Sequence, residues 1–406
     1  MRNLFLQESV ILLTNNGMGK YILTINGGSS SIKFALYSCN GSFARSLYGS
    51  IERIGLIGAT LTYVDTAGKK EVREISVADI GTAIETLKSF LMEHVDFNNI
   101  VGVGHRVVHG MGRADHAIIT GELIAELKET SPIDPEHMPF EIAIIEMFRE
   151  WQPALVQVAC FDTVFHHDMP SVAQMLPLPR RFNAKGVRRY GFHGLSCAYL
   201  MEELRRLEPQ KAGGRVIIAH LGNGGSITAI KDGKSFDTSM GFTPTGGIPM
   251  SSRTGDIDPG ALLYIMKTEE LSVDTMSNLV NHESGLLGVS EISSDMLDLL
   301  ECEATDERAR EAVDLFCYEA KKRIGAYAAA LGGIDTIIFT GGMGENAPSI
   351  RTRVCAGLEF LGISLDEARN QNNEEIISPP SASVCVRVMH TNEELMIARI
   401  AHEMVK

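Results

Sequence analysis

Tyr21-Ile22-Leu23-Thr24-Ile25-Asn26-Gly27-Gly28-Ser29-Ser30-Ser31-Ile32-Lys33-Phe34-Ala35-Leu36-Tyr37 is the stretch from which the organisation of this chain can be read. Two runs rich in β-branched and aromatic residues flank a Gly/Ser turn, the pattern of antiparallel strands joined in a hairpin. The pattern returns at Val216-Ile217-Ile218-Ala219-His220-Leu221, which enters Gly222-Asn223-Gly224-Gly225-Ser226 and leaves through Ile227-Thr228-Ala229-Ile230. Asn26 and Asn223 stand about 200 residues apart in a chain of 406, so the spacing predicts a duplicated domain. Helical periodicity over 83–95, 121–129 and 140–151 alternates with strand patterns over 100–108 and 155–160, which predicts α/β layers. An amphipathic stretch over 306–331 stops at Gly332-Gly333 and feeds a strand over 336–340. That strand ends in a third glycine-rich turn, Gly341-Gly342-Met343-Gly344-Glu345-Asn346.

A length of 406 residues suits two or three domains, each able to bury a core. With 37 Lys and Arg against 51 Asp and Glu, the net charge of −14 argues against a nucleic-acid binder, whose affinity comes mainly from basic side chains on phosphates. Seven scattered cysteines without a C-x-x-C pair support neither a disulfide framework nor a zinc ribbon. A cytoplasmic, reducing setting is therefore expected. No segment approaches the roughly 20 apolar residues of a membrane span; the patch Val10-Ile11-Leu12-Leu13 belongs to an expected surface extension over 1–20.

Glycine-rich turns at strand ends let backbone N–H groups approach an anion with no Cβ in the way, and three of them point to a polyphosphate ligand. None has P-loop spacing or forms an isolated G-x-G-x-x-G unit. In Gly104-His105-Arg106-Val107-Val108-His109-Gly110 a Val-rich strand presents Arg near its end, the forked donor suited to carboxylate and phosphate. His105 and His109 have H-x-x-x-H spacing, but a zinc pair at that spacing needs a helix. Phe161-Asp162-Thr163 puts an acid just past a strand, where α/β sites collect polar groups. Asp256 and Asp258 lack the later ligands of a calcium loop and are expected to cap local backbone or support an Arg.

Together these blocks resemble the acetate kinases, the acetokinase group within the actin, hexokinase and Hsp70 fold superfamily. The resemblance runs in family order through 26–34, 105–110, 161–166, Arg188-Arg189-Tyr190-Gly191-Phe192-His193-Gly194, 220–227, 237–244, 253–260, 283–295, 340–346 and Thr391-Asn392-Glu393-Glu394. It implies an α/β fold of duplicated RNase H-like domains with an interdomain ATP cleft: 1–163 completed by 395–406, and 164–394. It implies magnesium-dependent transfer of the γ-phosphoryl group of ATP to acetate, giving acetyl phosphate and ADP, with manganese as a substitute ion and a homodimer as the assembly. Arg106 and Arg253 then bind the carboxylate and the phosphoryl group, His193 stabilises the transition state, and Asp162 is catalytic. Val108, Ile133, Phe192 and Pro244 form the apolar pocket for the acid. Asn26 and Glu393 serve the metal. Lys33, Ser29 and Ser31 lie by the phosphates. The nucleotide cradle is His220, Leu221, Gly222, Asn223 and Gly224 with Gly341, Gly342, Met343, Gly344, Glu345 and Asn346, and Asp295, Met296 and Leu297 lie at the base.

Departures from the family pattern bear on specificity. Pro132-Ile133-Asp134-Pro135 replaces Pro-Leu-His-Asn-Pro, so a pocket-side His is lost or moved to His137. Ser251-Ser252-Arg253-Thr254 replaces Gly-Thr-Arg-Ser, Cys197 replaces a His, and Leu297 replaces an Arg near the adenine. The alternatives are a kinase for propionate or another short acid and, of a different class, a non-catalytic actin-like nucleotide-binding protein, which would need no arginine clamp.

Overall fold

A computed structural model describes residues 20–28 and 30–406; Ser29 and all but the last residue of the expected 1–20 extension lie outside the described residues. β1 (Tyr21–Gly27) and β2 (Ser31–Ser38) form the hairpin, with Asn26 opposite Lys33. β3 (Arg45–Glu52), β4 (Thr60–Val64) and β5 (Lys70–Glu74) continue it as an antiparallel meander. β6 (Ile100–Val107) pairs parallel with β1. The short β7 (Ala117–Ile118) closes the far edge beyond β8 (Gln157–Phe161), which is parallel to β6. The sheet order is β5-β4-β3-β2-β1-β6-β8-β7.

The second sheet is built from β9 (Arg215–Leu221), β10 (Gly225–Lys231), β11 (Lys234–Thr238), β12 (Thr336–Thr340) and β13 (Cys385–Val388), in the order β11-β10-β9-β12-β13. It repeats the segment β3-β2-β1-β6-β8: three antiparallel strands, then two parallel ones. The duplication expected from the repeated hairpin is thus present strand for strand.

Each sheet is covered on both faces. In the first, helices Ile80–His94 and Met138–Trp151 bury Leu87, Phe90, Phe140 and Phe148 against one face. Helix Glu393–Met404, the last element of the chain, returns to the other face and buries Ile397, Ala398 and Ala401. Gly104 permits that approach, because a Cβ there would lie 2.5 Å from Ile397 Cγ2. In the second sheet, helices Glu307–Leu331 and Gly194–Leu207 do the same. Glu307–Leu331 begins where the Asp306 carboxylate accepts from the Arg308 N–H and ends at Gly332 with φ 73°, the left-handed stop its sequence predicts.

One expected turn is a helix. Gly341–Asn346 is helical because Glu345 reaches back, its carboxylate accepting from the Gly341 N–H at 2.9 Å and from Thr340 Oγ1 at 3.1 Å. Among the described residues no helix is long and apolar enough to cross a membrane.

Candidate active site

The functional side chains gather where the two hairpin turns and the ends of β1, β6, β8, β9 and β12 meet, the edge where open α/β sheets place ligands. A cavity of about 300 Å³ is lined by Asn26, Ser31, Arg106, Val108, Phe192, His193, Pro244 and Arg253. A second, of about 550 Å³, is lined by Gly222, Asp295, Gly341, Gly342, Met343 and Glu345. Lys33, His220, Asn223 and Glu393 line both, so the two join into one cleft.

Arg106 leaves the end of β6 and is held by Asp162, whose Oδ2 accepts from Nε at 3.0 Å and from Nη2 at 2.5 Å. Asp162 is wholly buried, and its Oδ1 has no partner among the described residues. Burial alone would lower the Arg106 pKa; Asp162, Glu393 and Glu141 more than reverse that and keep it charged. The third nitrogen of the fork, Nη1, reaches Asn26 Oδ1 at 3.5 Å, and Asn26 Nδ2 donates to Glu393 Oε2 at 3.2 Å and to Glu394 Oε1 at 3.4 Å. Burial, with Asp162 and Glu394 nearby, raises Glu393 above the usual carboxylate range.

His193 sits in left-handed backbone, φ 58°, at the entry to helix Gly194–Leu207. Non-glycine residues rarely adopt this conformation, and it is held here by packing on the Asp162 backbone. The Gly194 N–H donates to the Asp162 carbonyl at 3.0 Å, and a Cβ on Gly194 would lie 2.0 Å from that oxygen. The His193 ring stacks on His220, with centroids 4.1 Å apart and planes 16° from parallel. Its Nδ1 is 2.9 Å from Ser226 Oγ, while His220 Nδ1 is 3.0 Å from Ser196 Oγ. Burial, then His220, Arg106 and Arg253, push His193 well below its ordinary pKa, and burial brings His220 to about 4. Both rings are therefore neutral near pH 7.

Arg253 approaches from the opposite wall. Its Nη1 lies 3.5 Å from the Pro244 carbonyl and its Nη2 3.2 Å from His137 Nε2. His137 lines the cavity, so an imidazole is present there although Pro132–Pro135 departs from the family pattern. Val108, Phe192, Met240 and Met250 form a small buried apolar cluster beneath it.

Not every expected residue reaches the cleft wall. Ile133 lies half-buried in the turn Ser131–Ile133 and does not line it, and Asp162 stands behind Arg106. Leu221, Gly344 and Met296 are buried beneath the turns, Asn346 Nδ2 is tied to the Gly342 carbonyl, and Leu297 is 64% exposed. The sequence reading also missed partners. Ser226 and Ser196 orient the two histidines, and Glu141, which burial raises to about 8, accepts from the Val108 N–H at 3.0 Å. Ser226 stands in the repeated turn and was open to notice; Glu141 gives no signal, being one acid in a helical pattern.

Residues 21–399 match the acetokinase family. The chain belongs to that family. An acetate kinase of Methylocella silvestris is 42% identical over 395 residues, covering 94% of this chain and 97% of the relative. The crystal structure of the Porphyromonas gingivalis acetate kinase superposes with a TM-score of 0.85 at 38% identity, covering 95% of this chain and all of that one. A propionate kinase from Francisella tularensis gives 0.88 at 36% identity, covering 95% and 99%. As an acetokinase the chain is a kinase with ATP as co-substrate and a carboxylate as acceptor.

Proposed function

We propose that this acetokinase acts on acetate, by the following division of labour. A carboxylate oxygen attacks the γ-phosphorus of ATP, the bond from that phosphorus to the β–γ bridging oxygen breaks, and acetyl phosphate and ADP form; the reverse reaction uses the same path. The observation that carries the reading is that Arg106 and Arg253, from opposite halves of the chain, line one cavity with the apolar Val108, Phe192 and Pro244. Two guanidinium forks suit an acceptor carboxylate and the equatorial oxygens of a phosphoryl group in transit, and the apolar patch suits a methyl group. The acceptor is already ionised at neutral pH, so no general base is needed. Arg106, oriented by Asp162, holds the carboxylate, and Arg253 meets the phosphoryl oxygens. With Ser226 donating to Nδ1, neutral His193 carries its hydrogen on Nε2 and donates it to the group in transit. Asp162 works through Arg106 and touches no reacting atom. Lys33, Ser31, Asn223 and the backbone of Gly222, Gly224, Gly341 and Gly342 face the phosphates.

Magnesium fits the corner formed by Asn26, Glu393 and Glu394. The two carboxylates offer oxygen, and Asn26, whose amide nitrogen faces them here, would offer its own on turning the amide; the ion is usually held by one or two carboxylates, water and substrate phosphate. Crowding that raises Glu393 is what a divalent cation would relieve. When bound it would neutralise phosphate charge, and manganese would take the same donors. The repeated strand order supports two domains, 1–163 with 395–406 and 164–394. A homodimer is supported by helix Pro259–Thr268, which buries no residue and leaves Leu263 and Tyr264 each 68% exposed. Seven unpaired cysteines suit the cytoplasm. Hydroxamate trapping over formate, acetate, propionate and butyrate tests the reading, with acetate expected to give the highest kcat/KM. A higher value with propionate would replace the acid; ATP binding with no hydroxamate from any acid would leave a nucleotide-binding protein without turnover.

A further inference from the structure

We propose, resting on the carboxylate-kinase reading above, that Asp134 and His137 are positioning residues for Arg253, joined to it in a carboxylate–imidazole–guanidinium relay. No carboxylate among the described residues pairs with Arg253 directly. Its Nη2 meets His137 Nε2 at 3.2 Å, and a guanidinium can only donate. Nε2 must therefore accept, and the single hydrogen of the neutral ring sits on Nδ1. There it faces Asp134, whose carboxylate oxygens lie at 3.0 and 3.1 Å. Asp134 is 3% exposed. Burial would raise it, but His137 and Arg253 hold it below its ordinary value, so it is ionised and fixes the tautomer. Glu136 and Arg106 are the other charged groups acting on Arg253.

The two arginines of the cleft are thus anchored differently. Arg106 commits Nε and Nη2 to one carboxylate oxygen, whereas Arg253 gives one N–H to a neutral ring. An intervening imidazole aims Arg253 without a charge in contact with it and, apart from the 3.5 Å bond from Nη1 to the Pro244 carbonyl, leaves its other donors for incoming oxygens. Asp134 and His137 lie in and just after the stretch where this chain departs from the Pro-Leu-His-Asn-Pro pattern.

The test compares wild type, Asp134→Asn, His137→Gln and the double variant for acyl phosphate formation, with thermal midpoints measured alongside. In Asp134→Asn the ring loses its reason to keep the hydrogen on Nδ1 and turns an N–H toward Arg253. We expect kcat to fall about 10- to 100-fold, the range for losing a supporting partner, with the KM for ATP within about twofold. His137→Gln keeps an amide oxygen that can accept from Arg253 and should lose less than about fivefold. The double variant should match His137→Gln alone, because Asp134 acts only through the ring. An Asp134→Asn effect of equal size with and without His137, or no effect, would overturn the relay. Nitrogen NMR of histidine-labelled wild type should show an Nδ1–H ring that vanishes in His137→Gln and becomes Nε2–H in Asp134→Asn. An Nε2–H ring at His137 in the wild type refutes the relay whether or not any acid is phosphorylated, so the relay and the kinase reading can fail separately.

Discussion

Replacing Asp162 with Asn keeps the shape of the side chain, removes its charge and turns one acceptor oxygen into a donor. In the wild type one buried oxygen accepts two bonds from Arg106, at 3.0 and 2.5 Å, while the other oxygen has no partner among the described residues. The ion pair becomes a bond from the still-charged Arg106 to a neutral amide oxygen, which costs about 1 kcal/mol at Oδ2, part of the roughly 1.5–3 kcal/mol that bonds to charged groups contribute. The new amide NH2 must occupy the partnerless Oδ1 position, and a buried donor without an acceptor costs a further ~1–3 kcal/mol. Turning the amide round would set N–H against N–H. The expected loss is therefore about 3 kcal/mol of stability, read from urea unfolding. Arg106, no longer locked, should leave kcat lower by about 10²-fold, equivalent to about 2.7 kcal/mol in the barrier. ATP binding by calorimetry should change little. A variant within about 0.5 kcal/mol of wild-type stability that kept a third of kcat would show that Asp162 does not orient Arg106.

Val108→Ala should enlarge the apolar cluster with Phe192 and move the propionate-to-acetate ratio of kcat/KM upward by about tenfold, since one methylene counts for ~1–3 kcal/mol; an unchanged ratio would place the acid elsewhere. Exposed Leu297 offers a base neither charge nor hydrogen bonds, so GTP should support turnover within about tenfold of ATP, and Leu297→Arg should widen the gap; wild-type selectivity above about a hundredfold would contradict this. Stability should peak near pH 6.5. Below that, His109, His116, His166 and His220, held by burial at about 4, stay neutral in the fold while the unfolded chain takes up protons, so stability falls toward pH 4. Above it, Glu141, raised by burial to about 8, keeps a proton that the unfolded chain has lost, so its contribution fades as pH rises toward 8; Glu141→Gln should flatten that limb in thermal scans.

The repeated hairpin was legible because it combines a period-2 apolar pattern with a turn only Gly, Asn and Ser fill easily, and both signals are local. The arginines could be recognised for the same reason: Arg106 interrupts a Val-rich strand and Arg253 stands alone among small polar residues. Asp256 and Asp258 act as their local pattern suggests, the first accepting from the Gly247 N–H at 2.8 Å and the second capping helix Pro259–Thr268. What stayed hidden depends on residues far apart in the chain. Glu141 acquires its role only when a helix brings it under the Val108 N–H, and His137 only when its turn crosses the cleft to Arg253. The Gly341–Asn346 run was misread because glycine content outweighed the back-bond from Glu345 that lets it coil.

Helix Glu393–Met404 seals one face of the sheet that begins at Tyr21, so a layer opened by a strand at residue 21 is completed only by residues from 393 onward. During translation the strands that carry Ile22, Ala35 and Val158 emerge before this helix, and that face stays uncovered until it follows. Because Glu393 begins that helix, the acidic corner beside Asn26 is assembled at the same moment. Chains halted before residue 393 should accordingly be chaperone clients and inert toward nucleotide, and removing residues 395–406 should cost solubility as well as turnover.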